Sequence, residues 1–564
     1  MVDYSLNDFN IETLGSFYQK NKTIFRVFAP ESKCVYLVIN QKKYEMHKNN
    51  YCFEIAFSGD LERVKYYYQN DIGETFRDPF AYYSDDKYSY VLDTNKFITE
   101  TVMPKKQDDI IIYETSVRDF SCASSYPGKI NRKLLSFTEK DLRINVIYSV
   151  GLDYLKQLGI THLQLMPILD FDNDKSNYNW GYNPLAFNYI KNDYILDDKN
   201  PYAYINELRT VVNTLHEYDI RLTLDVVFNH MYKDFKYDLD KMIPGHVFRM
   251  KDNGEYAAGS LCGNEIKSED LFMREYLVEM SKRYIRLFDI DGIRIDLMGI
   301  LDYQTVNKIN ESCKKLKQDF IVYGEGWNMG DVLLVEQRAA IVNADKLPDV
   351  AMFNDYFRET IISYVSGNDS IRQDVKNVLS CSSNYLNHHQ SINYVECHDQ
   401  YTFFDRMLIY KKDDSMEDRV RKCKLALGLV MIARGIPFIH SGQEFLRTKN
   451  GVLNSYNSDE SINQLDWQLR VENNEIVEYF KDLVKLRKNN MEFIRDDIKL
   501  EFEDYYECLI YRVGEIMIII NPCMWDHTYE DGNAYNILFD INGISNKMSD
   551  VLKIPAYSML ICKR

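Results

Sequence analysis

Tryptophan is scarce in this chain, with four residues among 564, so a ligand that stacks on aromatic rings must find them elsewhere. The eleven cysteines form no CxxC pair and their number is odd. A thiolate metal site therefore has no support, and the cysteines read as free thiols. No apolar run approaches a bilayer span. The longest, LALGLVMIA (425–433) and IMIII (516–520), are less than half of the roughly 20 residues required, and no membrane segment is expected. The opening MVDYSLNDFN has neither a basic start nor an apolar core, so no secretory signal is read and a cytoplasmic protein is expected. Basic residues are not gathered into a block. With 68 Lys and Arg against 85 Asp and Glu, a net charge of −17, nucleic acid and other polyanions are not expected as partners. What is abundant is tyrosine, 44 residues, with 29 phenylalanines. Tyrosine covers half-buried surfaces, and it also suits sugars, whose rings lie on aromatic faces while their hydroxyls seek hydrogen bonds.

The length suggests two to four domains. From Thr23 to about Leu92, short β-prone runs (TIFRVFAP, CVYLVIN, CFEIAF, VKYYYQN) alternate with polar turns, a pattern that predicts a small β-sandwich. The C-terminus behaves alike, with CLIYRVG, IMIIINP and MLICKR as strands. Between them lie eight apolar strand candidates: DIIIYETS (109–116), THLQLMPI (161–168), RLTLDVVF (221–228), DGIRIDLM (291–298), DFIVYGEG (319–326), DVAMFND (349–355), SINYVEC (391–397) and GIPFIHS (435–441). Amphipathic stretches such as LFMREYLVEMSKRYIRLF (271–288) separate them. Eight alternations of strand and helix predict an α/β (β/α)₈ barrel. The expected domains are 1–103 (β-sandwich), 104–490 (barrel) and 491–564 (all-β, a second sandwich).

In such a barrel the chemistry sits where the strands end. DGIRIDLMGI (291–300) raises the question first. If it is a strand, Arg294 and Asp296 share one face and Ile293, Ile295 and Leu297 the other. Two opposite charges on a buried face fit a structural ion pair as well as a catalytic one. Coincidence shifts the balance. The third strand ends with Asp225, Asn229 and His230, the fifth with Glu325 in YGEGW, and the seventh with His398 and Asp399 in VECHD. Singly, an acid after a strand reads as a helix cap and a histidine as a core residue. Together they place four carboxylates, an arginine and two histidines around one axis. Two carboxylates facing one cavity fit glycoside hydrolysis, one attacking the sugar carbon and the other protonating the leaving oxygen. Arg294 would keep Asp296 ionised. Glu325, with no cation adjacent in sequence, would keep its proton longer. A divalent metal is the alternative for such a rim, but Arg294 beside Asp296 would repel it, so no metal and no cofactor are expected.

LDVVFNH, GIRIDLMG, YGEGW and ECHD, in this order, resemble the four signature regions of the α-amylase superfamily of retaining α-glucan hydrolases and transferases, and LQLMPILDF resembles its strand-two motif. More narrowly, YNWGYNP (178–184) is similar to the hallmark of type I pullulanases, which cleave α-1,6 branch linkages. DLMG, GEGW, GSLCGNE, GQEFLRTK and NSYNS agree with that subgroup, while FRVFAP and RDPFAY resemble the glycogen-binding type of module found in debranching enzymes. The resemblance implies that Asp296 is the nucleophile, Glu325 the general acid/base and Asp399 the stabiliser of the oxocarbenium-like transition state. Arg294 would orient Asp296, His230 and His398 would contact hydroxyls of the cleaved sugar, and Tyr182 would stack beneath its ring. Asp225 and Asn229 would support the site, and Trp180, Trp327 and Asn454 would contact glucan beyond the cleaved residue. Retention implies that the carboxyls of Asp296 and Glu325 lie about 5–5.5 Å apart. Three departures stand out: Asn183 replaces an Asp common in relatives, the stretch after Pro184 lacks their PEGSYST-type segment, and the N-terminal module has no Trp. Gln390 and Glu396, beside the last signature, match no known role. The expected substrate is an α-glucan with branch points. The competing readings are another α-glucan hydrolase or transferase, isoamylase-like or α-1,4-acting, and a non-catalytic glucan-binding protein.

Overall fold

In a computed structural model, residues 4–173, 178–232, 237–381, 387–495 and 497–564 are described; the first three residues of the opening stretch lie outside them. Each of the eight central candidates forms a strand, trimmed to three to six residues: β1 (Ile112–Thr115), β2 (His162–Leu165), β3 (Arg221–Val226), β4 (Gly292–Ile295), β5 (Ile321–Gly324), β6 (Ala351–Phe353), β7 (Ser391–Asn393) and β8 (Ile436–His440). They pair in chain order, all parallel, and Ile112 of β1 lies beside Phe438 of β8 to close the barrel. Both faces of these strands are covered, inside by the facing strands and outside by helices, which is why they read as continuous apolar runs.

Local signals set the helix limits. Helix Leu271–Phe288 starts where the Asp270 carboxylate accepts from the N–H groups of Phe272 and Met273, and stops at Asp289, whose φ of 60° is left-handed. Helix Tyr303–Leu316 is capped by Asp302, which accepts from Thr305 N–H. No helix among the described residues is long and apolar enough to cross a membrane.

The N-terminal strands form two sheets, one of four strands built on Lys22–Phe28 and Cys52–Ser58, the other on Val35–Ile39 and Lys65–Asn70. They meet over Phe25, Val27, Leu37 and Tyr66, with the rings of Phe25 and Tyr66 4.9 Å apart edge to face. This layer rests on helix Leu271–Phe288, where Phe28 stacks on Phe272 at 5.2 Å, and Arg77 pairs with Asp238 at 2.8 Å. At the other end, six antiparallel strands including Cys508–Val513, Ile516–Asn521 and Ser558–Lys563 form the C-terminal sheet. One face covers a core of its own around Ile510, Ile519 and Leu560. The other packs on helices Met416–Ile432 and Asn474–Asn489, with Phe539 against Tyr479. Among the described residues no disulfide is formed.

Candidate active site

Strand β4 delivers Arg294 into the barrel interior, 2% exposed. A buried guanidinium needs anions around it, and three surround this one. Its Nη1 donates to both oxygens of Asp225, at 2.9 and 3.0 Å, and to Asp296 Oδ1 at 2.9 Å. Its Nη2 lies 2.8 Å from Glu325 Oε1. Glu325, which has no cation adjacent in sequence, meets one in the fold. β4 and β5 are hydrogen-bonded neighbours, so Asp296 and Glu325, 29 positions apart, converge on one side chain. Arg294 also lies between the rings of Tyr182 and Phe353, 5.7 Å from each centroid.

The backbone after β4 fixes the two acids relative to each other. Asp296 N–H still donates to Val226 O, extending the ladder, but Leu297 turns left-handed at φ 39°, a costly conformation for a leucine. That turn aims the Leu297 N–H at Glu325 Oε2, 3.0 Å away, and the Gly299 N–H at the Glu325 carbonyl, 2.9 Å away. Gly299 is required by space, since a Cβ there would lie 1.8 Å from the Trp327 carbonyl oxygen.

Supporting groups close in from β3 and from the YNWGYNP loop. Asn229 Nδ2 donates to Asp296 Oδ2 at 2.8 Å and to its carbonyl at 2.7 Å. Tyr182 donates its hydroxyl to Asp225 Oδ2 at 2.7 Å. His230 contacts Asn229 Oδ1 through Nδ1 and lies 3.1 Å from the Tyr182 carbonyl through Nε2; burial pushes its pKa down, keeping the ring neutral. The GSLCGNE loop runs antiparallel to His230–Tyr232 and packs on that histidine.

From β7 come His398 and Asp399. His398 is tied to a residue that the sequence reading passed over: Glu114, at the end of β1, takes Nδ1 of His398 at 2.8 Å on Oε1 and its backbone N–H at 2.9 Å on Oε2. Gln164 donates to Glu114 Oε1 at 3.0 Å and accepts from the Tyr323 hydroxyl at 2.6 Å. Burial opposes a charge on His398, but Glu114 and Asp399 outweigh it and raise its pKa to about 9. His398 is thus an imidazolium near neutrality, stacked on Tyr182 at 5.0 Å and 16°. Lys449 donates to its carbonyl at 2.9 Å. A signal for Glu114 existed: it is a carboxylate in the apolar run IIIYETS, on the same strand face as Ile112. The departures beside the last signature also find places. Gln390 Nε2 donates to the carbonyls of Ala344 and Leu347, and Glu396, pushed up to about 8 by burial, holds His440 at 3.0 Å.

These groups border a cavity of about 690 Å³ whose wall includes Arg294, Glu325, Trp327, His398, Asp399 and Asn454. Asp296 is not part of that wall; Arg294 and Asn229 hold it beside Glu325, with its side chain 10% exposed. Asp225, Asn229, His230 and Tyr182 stand behind, and Trp180 lies edge-on to His398 at 5.0 Å. Asp399 is the open acid, its side chain 49% exposed and 3.7 Å from His398 Nε2. Burial raises Glu325 to about 7; Arg294 pulls it down, while Asp296 and Asp399 push it up. The bond to Arg294 and the raised pKa point opposite ways. Desolvation wins, because Arg294 shares its charge among three carboxylates. Burial likewise lifts Asp225 to about 6 against the same arginine. The arrangement offers one carboxylate held by a guanidinium and an amide, and a second able to hold a proton near neutral pH. Among the described residues no group of side chains is set to hold a metal.

Residues 148–248 match the model of the α-amylase catalytic domain. The chain is 34% identical to the pullulanase of Bacillus subtilis (strain 168), over 96% of this chain and 83% of that one. It is 27% identical to chloroplastic pullulanase 1 of Arabidopsis thaliana, over 64% of this chain and 48% of the relative. The pullulanase of Anoxybacillus sp. LM18-11, solved in complex with maltotetraose, superposes with a TM-score of 0.93 at 30% identity, covering 99% of this chain and 88% of that one. With a closed eight-stranded barrel, β layers at either end and this likeness along nearly its whole length, the chain belongs to the pullulanase family.

Proposed function

We propose that the chain is a retaining hydrolase of α-1,6-glucosidic branch linkages in pullulan, glycogen or limit dextrins, acting by double displacement. The observation that carries this reading is the single guanidinium that holds both Asp296 and Glu325, itself lining with Glu325 a cavity of about 690 Å³. In the first step Asp296 forms a bond to the anomeric carbon as the bond to the glycosidic oxygen breaks, and Glu325 delivers its proton to that oxygen. In the second step Glu325, now a carboxylate, takes a proton from water as the water oxygen displaces Asp296. Asp399 and the His398 imidazolium hydrogen-bond hydroxyls of the cleaved ring, and Tyr182 faces it. Trp180, Trp327 and Asn454 extend contact along the glucan. The reading needs the Asp296 and Glu325 carboxyls about 5–5.5 Å apart.

The same reading divides the chain at 103/104 and 490/491, the second cut falling between helix Asn474–Asn489 and strand Leu500–Tyr505.

Incubation with pullulan, followed by chromatography and by NMR of the first-formed anomer, tests the proposal. Maltotriose released as the α-anomer is expected. Cleavage of linear amylose instead would favour an α-1,4-acting enzyme, and binding of maltotriose without sugar release would favour a glucan-binding protein.

A further inference from the structure

GQEFLRTK (442–449) follows β8 and contributes no side chain to the wall of the cavity, yet it ends against the residues that do. Its start is anchored in the barrel, where Glu444 accepts from the hydroxyls of Tyr113 at 2.7 Å and Tyr154 at 2.6 Å. Its last residue, Lys449, is 1% exposed and grips one segment twice. The Lys449 N–H donates to Asp405 Oδ2 at 2.8 Å, in helix Phe403–Tyr410, and its Nζ donates to the His398 carbonyl at 2.9 Å. One residue thereby holds both ends of the connection after β7, the stretch that carries His398 and Asp399. The same ammonium lies 5.5 Å over the ring of Trp180. Trp180 is itself fixed, its backbone N–H reaching the Tyr456 carbonyl at 3.1 Å and its Nε1 reaching Asn463 Oδ1 at 3.3 Å. Three loops meet at this one side chain.

Packing alone does not call for a charge here. Burial and the neighbouring Arg447 pull the Lys449 pKa down to about 8, against Glu396 and Asp399, so the ammonium is a cost to the fold. An uncharged side chain of similar length fills such a place without that cost. What the charge supplies is a hold on one peptide unit. The His398 carbonyl shares its plane with the Asp399 N–H, so fixing that oxygen fixes where the Asp399 side chain leaves the backbone. Asp399 depends on its backbone for position: its side chain is 49% exposed and meets His398 Nε2 at 3.7 Å, beyond hydrogen-bond reach. His398 is held from its other side by Glu114, through Nδ1 and its N–H. We propose that Lys449 is a positioning residue of the hydrolytic centre, whose ammonium locks the His398–Asp399 peptide against the Trp180 loop and so sets where Asp399 meets the sugar being cleaved. The inference rests on the hydrolase reading above and adds to it a residue outside the cavity.

Lys449→Met in the full chain tests this, read by thermal unfolding, by kcat and KM on pullulan, and by the Glu325 titration followed through ¹³C NMR of its carboxyl. The variant is expected to unfold no lower than the wild type at about pH 7, because a buried charge is gone. Its kcat should fall roughly 10- to 100-fold, the scale of one charge-assisted hydrogen bond. KM should change little, since Asp399 acts on the ring as it reacts. Burial raises Glu325 to about 7 with the help of Asp296 and Asp399, so an Asp399 that swings outward lets the Glu325 titration move to lower pH. Removal of the lysine charge by itself moves it the other way, and the direction separates displacement from lost charge. Should the Met variant not fold, Lys449→Leu is read in the same way. An unchanged kcat, a kcat loss that follows lost stability, or a Glu325 titration that stays or rises would overturn the proposal. The titration needs no turnover, so the clamp is tested even where pullulan is not cleaved, and its failure is distinct from failure of the proposed function.

Discussion

Replacing Glu325 by Gln is expected to make the folded chain more stable at alkaline pH while abolishing hydrolysis. The ordinary glutamate value of 4.5 is raised to about 7 by burial, against the pull of Arg294 and with the push of Asp296 and Asp399. Between those two values the folded chain keeps a proton that the unfolded chain releases, so stability falls as pH rises from 4.5 toward 7 and the full cost is present above 7. At ~1.4 kcal/mol per pH unit, that cost is on the order of 3 kcal/mol for a side chain 10% exposed. Gln has the shape of the protonated acid and can still accept from Arg294 Nη2. The variant should therefore exceed the wild type by about 3 kcal/mol near pH 8.5 and match it near pH 4.5, while pullulan turnover drops by several orders of magnitude. Calorimetric unfolding of both proteins across this range, beside the pullulan assay, reads the effect. A Gln variant less stable than wild type near pH 8.5, or with an advantage that does not change with pH, refutes the reasoning.

Asp296→Ala should remove turnover to a similar extent while maltotriose binding, measured calorimetrically, persists. The kcat/KM of the wild type should fall above about pH 7 as Glu325 loses its proton; in Asp399→Asn the Glu325 titration, read by ¹³C NMR of its carboxyl, should move to lower pH, because a charge that raised Glu325 is gone. Glu114→Gln should return the His398 ring from about 9 to ~6.5 or below, seen by ¹⁵N NMR of the imidazole, with kcat/KM lowered roughly 10- to 100-fold. An unmoved His398 titration would rule out Glu114 as the source of its charge. Gly299→Ala must displace the Trp327 carbonyl, and a loss of about 1–3 kcal/mol on denaturation should accompany a change in Trp fluorescence.

The eight barrel strands were legible because burial on both faces leaves short apolar runs, and Arg294 and Asp296 because charges in such a run stand out, although alone they fit a structural ion pair as well as a catalytic one. The same rule applied to Glu114, but one carboxylate opposite a histidine 284 positions away gives no local partner to notice. Contacts across strands were the general blind spot. That Arg294 reaches Glu325 depends on β4 and β5 being neighbours, which reversed the sequence argument about how Glu325 keeps its proton. Leu297 carried no warning of its left-handed turn, since leucine has no preference for it and only the surrounding hydrogen bonds impose it.

One guanidinium serving three carboxylates makes the centre an indivisible unit for anyone wishing to retune it. Shifting the working pH by altering Arg294 would disturb Asp296, Glu325 and the buried brace at Asp225 together. Asp399, half in water and outside that grip, is the dial left free to turn, so variation in acidity profile among natural versions of this scaffold should map to its surroundings and leave the innermost quartet untouched.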